Sequence, residues 1–177
     1  MGAKGQGADA TSGRWLAIPR TLCFVFNGDD VLLMKRAPHR RVFPNRYNGV
    51  GGHIERHEDP LTGALREINE ETDLNIRDVR FSGAYNIDAG AATGIVLFIF
   101  SAISDSRHLK PDSPEGTLHW IPVDQTGDID LVEDLPHILP RVIEGYRNPE
   151  QAPFFAHVSY DADDNIVLLF AGEGNST

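Results

Sequence analysis

The sequence has little cysteine, no long apolar run and a shortage of positive charge. Cys23 is the only cysteine among 177 residues, so no disulfide can form within the chain, and we expect a reducing compartment such as the cytoplasm. The apolar run IVLFIF at 95–100 is far shorter than the roughly 20 residues that a membrane-spanning helix needs. Lys and Arg number 16 against 26 Asp and Glu, which gives a formal net charge of −10. This charge repels nucleic acid and anionic membranes at long range, so neither is an expected partner, and a polyanionic small molecule would need local cations or metal ions to bind.

The length and the pattern of elements predict one domain that contains both helices and strands. Residues 1–13 are small and polar, and we expect a disordered tail there, followed by a single domain at 14–177. Two strands joined by an Asn-Gly turn at 27–28 come first, and a helix then begins at Asp59 and Pro60. Two long apolar strands, a short strand from 116, a helix at 135–146 and a final hairpin follow. This order predicts a sandwich of helices and sheet around one core.

The helix after Pro60 is unusually acidic. The segment GALREINEETDL at 63–74 places Glu67, Glu70 and Glu71 at positions i, i+3 and i+4, so they share one helix face. The predicted buried stripe lies on another side and comprises Leu61, Ala64, Leu65 and Ile68. Such acids are often a solvated surface, but here no lysine separates them, a Gly-Gly turn precedes them and a basic loop lies upstream. Carboxylate clusters of this kind suit Mg²⁺, which takes substrate phosphates as its other ligands, so the segment predicts a metal site for a phosphate substrate.

Residues 52–74, GHIERHEDPLTGALREINEETDL, resemble the Nudix box. That box is a glycine, five residues, a glutamate, seven residues, and then Arg-Glu-aliphatic-x-Glu-Glu-x-Gly-aliphatic. The positions in register are Gly52, Glu58, Arg66, Glu67, Ile68, Glu70, Glu71 and Leu74. Asp73 is the one departure, because the pattern has glycine at this helix exit. Aspartate tolerates the left-handed backbone of such an exit better than most residues, so we expect a modest stability cost at Asp73 and no metal contact.

The resemblance implies a Nudix hydrolase with an α/β/α sandwich around a central mixed sheet, which cleaves a diphosphate linked to another moiety. By the same resemblance, Glu67, Glu70 and Glu71 bind Mg²⁺, or alternatively Mn²⁺, with the Gly52 carbonyl as a further ligand. Arg66 would orient the glutamates through salt bridges. The catalytic base differs within the family, and two candidates stay open here, Glu67 and Glu115.

The flanking segments are similar to the MutT-like branch that hydrolyses oxidised purine nucleoside triphosphates to the monophosphate and pyrophosphate. In that branch a threonine on the first strand, an asparagine before the Gly-Gly turn and two adjacent acids line the base pocket. The matching residues are Thr21, Asn48, Glu133 and Asp134. Leu131 stands where the branch has an aromatic residue, so this chain departs from the branch at the base-stacking position.

The basic loop and the substrate class each allow an alternative. Lys35, together with the arginines at 36, 40 and 41, is a candidate for phosphate contact, whereas the alternative is a solvated loop. Dinucleoside polyphosphates, nucleotide sugars and ADP-ribose are alternative substrates, and a non-catalytic Nudix domain that senses a nucleotide is a further possibility. The intact pairs Arg66-Glu67 and Glu70-Glu71 favour an enzyme that acts on a small nucleotide.

Overall fold

A hairpin opens the fold, and its turn follows from one glycine. The computed structural model describes residues 6–7, 12–111 and 113–173, so most of the tail predicted at 1–13 lies outside the described residues. Strand β1 spans Leu16–Asn27 and strand β2 spans Asp30–Arg36, with Asn27 opposite Asp30. The two-residue connection contains Gly28 at φ 61°, a left-handed conformation that glycine adopts without steric cost. The predicted hairpin is confirmed, but its turn is at 28–29, because Asn27 still pairs with Asp30.

The remaining elements complete a mixed sheet. Strands β3 (Tyr47–Asn48), β4 (Ile76–Ile87), β5 (Thr93–Ser104), β6 (Gly116–Pro122), β7 (Phe154–Tyr160) and β8 (Ile166–Phe170) join the first two. The order is β3-β2-β1-β5-β4-β7-β8. Strand β6 lies off this path and pairs with β2 along its whole length. The pairs β1/β5 and β4/β7 are parallel and the others are antiparallel. The sheet is therefore mixed, as the sequence predicts.

Two helices cover opposite faces of this sheet. Helix α1 spans Pro60–Thr72 and helix α2 spans Leu135–Arg147, after a 3-10 turn at Val123–Asp128. Successive side chains of a strand point to opposite faces. Accordingly Leu22 and Phe24 pack with α2, whereas Cys23 and Val25 pack with α1. The predicted α/β/α sandwich is confirmed, and no helix within the described ranges is long and apolar enough to cross a membrane.

Helix α1 begins and ends as predicted, but its buried stripe differs. The Asp59 carboxylate accepts hydrogen bonds from two backbone N–H groups of the first turn, and Asp73 ends the helix at φ 59°. The buried residues are Gly63, Ala64, Ile68 and Thr72. Leu61 and Leu65 are 45% and 41% exposed, so their predicted burial is wrong. The helix approaches its neighbours through small residues instead, because a Cβ on Gly63 would lie 3.3 Å from the Glu58 carboxylate.

Candidate active site

Arg66 on α1 connects the acidic residues of the site. Its guanidinium donates to both Glu58 carboxylate oxygens, at 2.7 and 3.0 Å. Its Nη1 donates to Glu67 Oε1 at 2.9 Å and to Glu70 Oε2 at 3.1 Å. Nη2 also donates to the His53 carbonyl at 3.0 Å, which ties the helix to the preceding loop. The guanidinium is only partly exposed, so this network is better shielded from water than an ordinary surface ion pair. The salt bridges predicted for Arg66 are present.

The Gly51-Gly52 turn lies directly against these acids. The Gly51 N–H donates to Glu71 Oε2 at 2.9 Å. A Cβ on Gly52 would lie 2.4 Å from Glu67 Oε1, and one on Gly51 would lie 2.3 Å from the Thr21 carbonyl oxygen. Gly51 is therefore required by its backbone contact, whereas a side chain at Gly52 would displace the Glu67 carboxylate. The Gly52 carbonyl accepts a hydrogen bond from the Thr21 N–H at 2.9 Å, so it is directed at β1 and not at the glutamates.

Glu71 is one of two partly buried acids on this face, the other being Glu67, whereas Glu70 is exposed. Burial, together with the negative charges of Glu67 and Glu115, raises the pKa of Glu71 to about 7, although the hydrogen bond from Gly51 opposes the shift. A cation bound beside Glu71 would relieve both the desolvation and the repulsion.

The carboxylate oxygens of Glu67, Glu70 and Glu71 are donor atoms of the kind that a hard divalent cation prefers, although the three carboxylates do not converge on one position. Within the residues that the structure describes, no three His, Cys, Asp or Glu side chains stand close enough together to hold a metal. In this arrangement Arg66 binds one oxygen each of Glu67 and Glu70. The oxygens of Glu67 and Glu71, both held next to the Gly51-Gly52 turn, are carboxylate ligands of the type that Mg²⁺ and Mn²⁺ prefer.

One cleft of about 830 Å³ contains most of the residues predicted for the site, a size typical of ligand pockets. The predicted residues that line it are Thr21, Asn48, Gly52, Glu67, Glu70, Glu71, Glu115 and Asp134. We call the part formed by Glu67, Glu70 and Glu71 the acidic side. Arg66 contacts the carboxylates of Glu67 and Glu70 but does not line the cleft.

Two predicted substrate residues lie elsewhere. The Lys35 ammonium lies 5.6 Å from the centroid of the Tyr47 ring and is exposed, outside the cleft lining. Glu133 forms an ion pair with Arg46 at 3.4 Å and is also outside the lining. Three arginines of the basic loop do line the cleft: Arg36, Arg40 and Arg41.

The second part of the cleft is built on the sheet face that carries α2. Tyr85 donates its hydroxyl hydrogen to Asp134 Oδ2 at 2.5 Å, and both residues are buried. Burial raises the pKa of Asp134, against the effect of this hydrogen bond. Tyr85 is opposite Leu97, and Leu97 is opposite Arg20 on β1, so the three side chains share one face. We call Arg20, Tyr85, Leu97 and Asp134 the α2 side of the cleft.

Thr21 and Asn48 lie on the other face of the sheet, the one that carries α1. Thr21 precedes Leu22, which points to the α2 face, and its strand partner is Phe98, which packs in the cluster under α1. Asn48 is opposite Met34 of the same cluster, and its side chain accepts from the Gly49 N–H at 2.9 Å. The four residues predicted to form one base pocket are therefore divided, and Asp134 alone lies on the α2 side.

Glu115 approaches the acidic side from a different loop. Its carboxylate accepts from Arg40 at 3.3 Å, and its carbonyl accepts from the Ala37 N–H at 2.9 Å. The basic loop thus holds Glu115 in the cleft, where its charge acts on Glu71.

A comparison with known families matches residues 17–142 to the NUDIX domain. The match covers well over half of the chain and includes α1, the Gly51-Gly52 turn and Glu115. The chain belongs to the Nudix family of hydrolases. Members of this family generally use divalent metal cations, in agreement with the oxygen donors of the acidic side.

Relatives at the sequence level include two kinds of Nudix hydrolase. The oxidized purine nucleoside triphosphate hydrolase of Mus musculus is 29% identical, over 88% of this chain and 95% of the mouse protein. The m7GpppN-mRNA hydrolase NUDT17 of Homo sapiens is 34% identical, over 76% of this chain but 48% of the human protein. The chain spans only 18% of the Xenopus laevis protein of the same name, with 42% identity.

Solved structures agree on the fold. The mutator MutT protein of Bacillus halodurans gives a TM-score of 0.68 at 22% identity, and the alignment covers 89% of this chain and 99% of that protein. The NUDIX domain of Shewanella oneidensis NrtR, determined in complex with ADP ribose, gives 0.63 at 17% identity and covers 82% and 99% respectively. At such low identity these similarities establish the fold and leave the substrate open.

Proposed function

We propose that this protein is a Mg²⁺-dependent diphosphatase that hydrolyses a purine nucleoside triphosphate, oxidised purines included, to the monophosphate and pyrophosphate. The observation that carries the proposal is the single cleft, which joins the acidic side to a pocket with one buried carboxylate on an apolar floor. The first part suits a phosphate chain with its cation, and the second suits a base that donates hydrogen bonds. A reducing, cytoplasmic location fits the buried free thiol of Cys23.

Glu67 and Glu71 would hold the cation, with Glu70 joining when it leaves Arg66. When bound, the cation would neutralise phosphate charge and polarise the phosphorus centre. The Gly52 carbonyl would have to give up its hydrogen bond from the Thr21 N–H to join these glutamates as a ligand. Arg66 keeps the carboxylates oriented by binding them from behind.

Two carboxylates can accept the proton of the attacking water, Glu67 and Glu115. Glu67 is fixed by Arg66 and by its contact with Gly52, whereas Glu115 is fixed by Arg40. The variants Glu67→Gln and Glu115→Gln separate these roles. Loss of the base removes the lower limb of the pH–rate profile, whereas loss of a cation ligand raises the Mg²⁺ concentration needed for half-maximal rate.

Asp134 would accept hydrogen bonds from the base, and Tyr85 fixes its orientation. A buried polar group that hydrogen-bonds the substrate discriminates strongly, because a base without the matching donor leaves it unpaired. The apolar floor of Leu97 and Ile95 offers van der Waals contact to the ring, in place of the aromatic residue that Leu131 replaces.

The direct test is a substrate panel. The protein is incubated with Mg²⁺ and purine and pyrimidine nucleoside triphosphates, dinucleoside polyphosphates, a nucleotide sugar, ADP-ribose and a capped dinucleotide, and products are separated by chromatography. We expect a purine monophosphate and pyrophosphate. The Glu71→Gln protein, purified identically, controls for contaminating phosphatases.

Two other outcomes would replace the proposal. Selective turnover of the capped dinucleotide or of ADP-ribose would favour the substrates in the descriptions of the human relative and the Shewanella domain. Tight nucleotide binding without turnover of any diphosphate would indicate a sensor.

A further inference from the structure

Arg20 is a cation in the cleft that none of the roles above requires. It lies on β1, is half-buried and lines the α2 side. Its Nε is buried and has no hydrogen-bond acceptor among residues 6–7, 12–111 and 113–173. The described part of the chain also gives its guanidinium no salt bridge, whereas Arg40 and Arg66 each bind a carboxylate.

The Arg20 guanidinium is half-buried, and the described residues give its Nε no acceptor. Burial lowers the pKa of Arg20, which means that the charged form is poorly solvated where it lies. Buried charges are normally paired, because desolvation is otherwise uncompensated. An anionic ligand would supply the missing partner, and a guanidinium binds phosphate oxygens with two parallel hydrogen bonds.

The position of Arg20 indicates which part of a nucleotide it would meet. Its backbone is bridged to His53, and the next residue, Thr21, is bonded to the Gly52 carbonyl, so Arg20 adjoins the turn beside the acidic side. Its side chain nevertheless lies on the face of Tyr85, with Leu97 between them. Two strand spacings separate Arg20 from Tyr85, about 10 Å.

The charge of Arg20 also acts on Arg36, another residue that lines the cleft. Burial lowers the pKa of Arg36, and the positive charges of Arg40 and Arg20 lower it further. Arg20 thus lines the same cleft as Glu71 and Asp134, in which one ligand could contact both sides.

We propose that Arg20 binds the phosphate chain of the substrate, on the nucleoside side of the bond that is cleaved. This role rests on the proposed function, since it assumes that the nucleoside occupies the α2 side and the cleaved bond lies at the acidic side. A phosphate would compensate the charge of Arg20 better than a hydrogen bond to a neutral base edge would. The alternative that the test must separate is contact of Arg20 with the base.

The test compares inosine with inosine 5′-monophosphate in NMR titrations without metal. We expect the wild-type protein to bind the monophosphate more tightly than the nucleoside. Arg20→Met should weaken monophosphate binding by about 10- to 100-fold and nucleoside binding by less than about twofold. Arg20→Lys, which keeps the charge but not the planar fork, should recover part of the loss.

A matched control is Arg80→Met, which removes an exposed strand arginine outside the cleft and should change neither affinity. Equal weakening of both ligands by Arg20→Met would overturn the proposal, because it indicates base contact or a structural role. An unchanged monophosphate affinity, or a wild-type protein without preference for the monophosphate, would overturn it as well.

Thermal unfolding supplies a second readout. Because Arg20 has no protein partner, Arg20→Met should leave the melting temperature unchanged or raise it, whereas a structural role would lower it. The proposed function fails separately: if no purine triphosphate is turned over but the monophosphate preference still depends on Arg20, the reaction is wrong and the phosphate contact stands.

Discussion

The acidic side and the α2 side of the cleft are built in different ways. Glu67, Glu70, Glu71 and Arg66 come from two turns of one helix; Arg66 holds Glu67 and Glu70, and the Gly51 N–H holds Glu71. The α2 side takes Arg20, Tyr85, Leu97 and Asp134 from three strands and the start of a second helix. A site confined to one helix depends on local geometry, whereas a site assembled from distant elements depends on sheet register. The two sides should therefore respond differently to substitution.

The largest effect is expected at Glu71, a partly buried carboxylate of the acidic side that the Gly51 N–H holds in place. Glu71→Gln should lower kcat by on the order of 10³-fold, because a neutral amide holds a divalent cation poorly and the cation contributes several kcal/mol to transition-state stabilisation. The amide oxygen can still accept from the Gly51 N–H, so the melting temperature should stay within a few degrees of wild type. Steady-state kinetics and thermal unfolding measure the two quantities.

Glu70→Gln is the matched control on the same helix face. The Glu70 side chain is 59% exposed and contacts Arg66 alone, so we expect a smaller loss than at Glu71. A near-wild-type rate in Glu71→Gln would mean that the cation binds elsewhere.

A smaller effect is expected at Arg66, which binds the carboxylates without lining the cleft. Arg66→Gln should reduce kcat/KM by about 10- to 100-fold, the usual cost of removing a group that orients metal ligands. It should also lower the melting temperature in the absence of metal, because Glu58 and Glu67 lose their ion pairs with the Arg66 guanidinium. Added Mg²⁺ should restore part of that stability by binding the folded form.

Comparison with Arg66→Lys, which keeps one charge, separates charge from geometry. If Arg66→Gln retained both rate and stability, the network around Arg66 would be irrelevant to the site.

The smallest effect is expected at Asp73, the helix exit. Asp73 has φ 59° and ψ 22°, a left-handed conformation that costs a non-glycine residue about 1 kcal/mol. Asp73→Gly should therefore raise the melting temperature by about 2–4 °C and leave kcat and KM unchanged. A large loss of activity would show that Asp73 contacts substrate or cation after all.

Sequence alone predicted the acidic side well because its geometry is local. The spacing of Glu67, Glu70 and Glu71 fixes their shared face once a helix forms, and Asp59 and Pro60 mark where that helix starts. Hydrophobic stripes are less reliable on such a helix. Leu61 and Leu65 are exposed because small residues at Gly63 and Ala64 make the contact with neighbouring segments.

The α2 side was predicted only in part because side-chain direction depends on strand register. Thr21 and Arg20 are neighbours in sequence, but they point to opposite faces, and only the pairing with β5 shows which one joins Tyr85. Alternation with Leu22 and Phe24, both apolar, was a signal that could have assigned Arg20 to the face of Asp134. The contact between Tyr85 and Asp134 joins residues 49 positions apart, and no local pattern announces it.

The central claim is that the acidic side performs the cleavage while Asp134 on the α2 side selects the base. Its most direct test is the ratio of kcat/KM for two purine triphosphates with different base edges, 8-oxo-dGTP and dATP, measured in the wild type and in Asp134→Asn. Glu133→Gln, which alters the adjacent acid outside the cleft, is the control. We predict that Asp134→Asn changes the ratio by about tenfold or more, since one buried hydrogen-bonding group then prefers a different base edge, and that Glu133→Gln leaves it within about twofold. An unchanged ratio in Asp134→Asn, or no hydrolysis of either nucleotide by the wild-type protein, would contradict the claim.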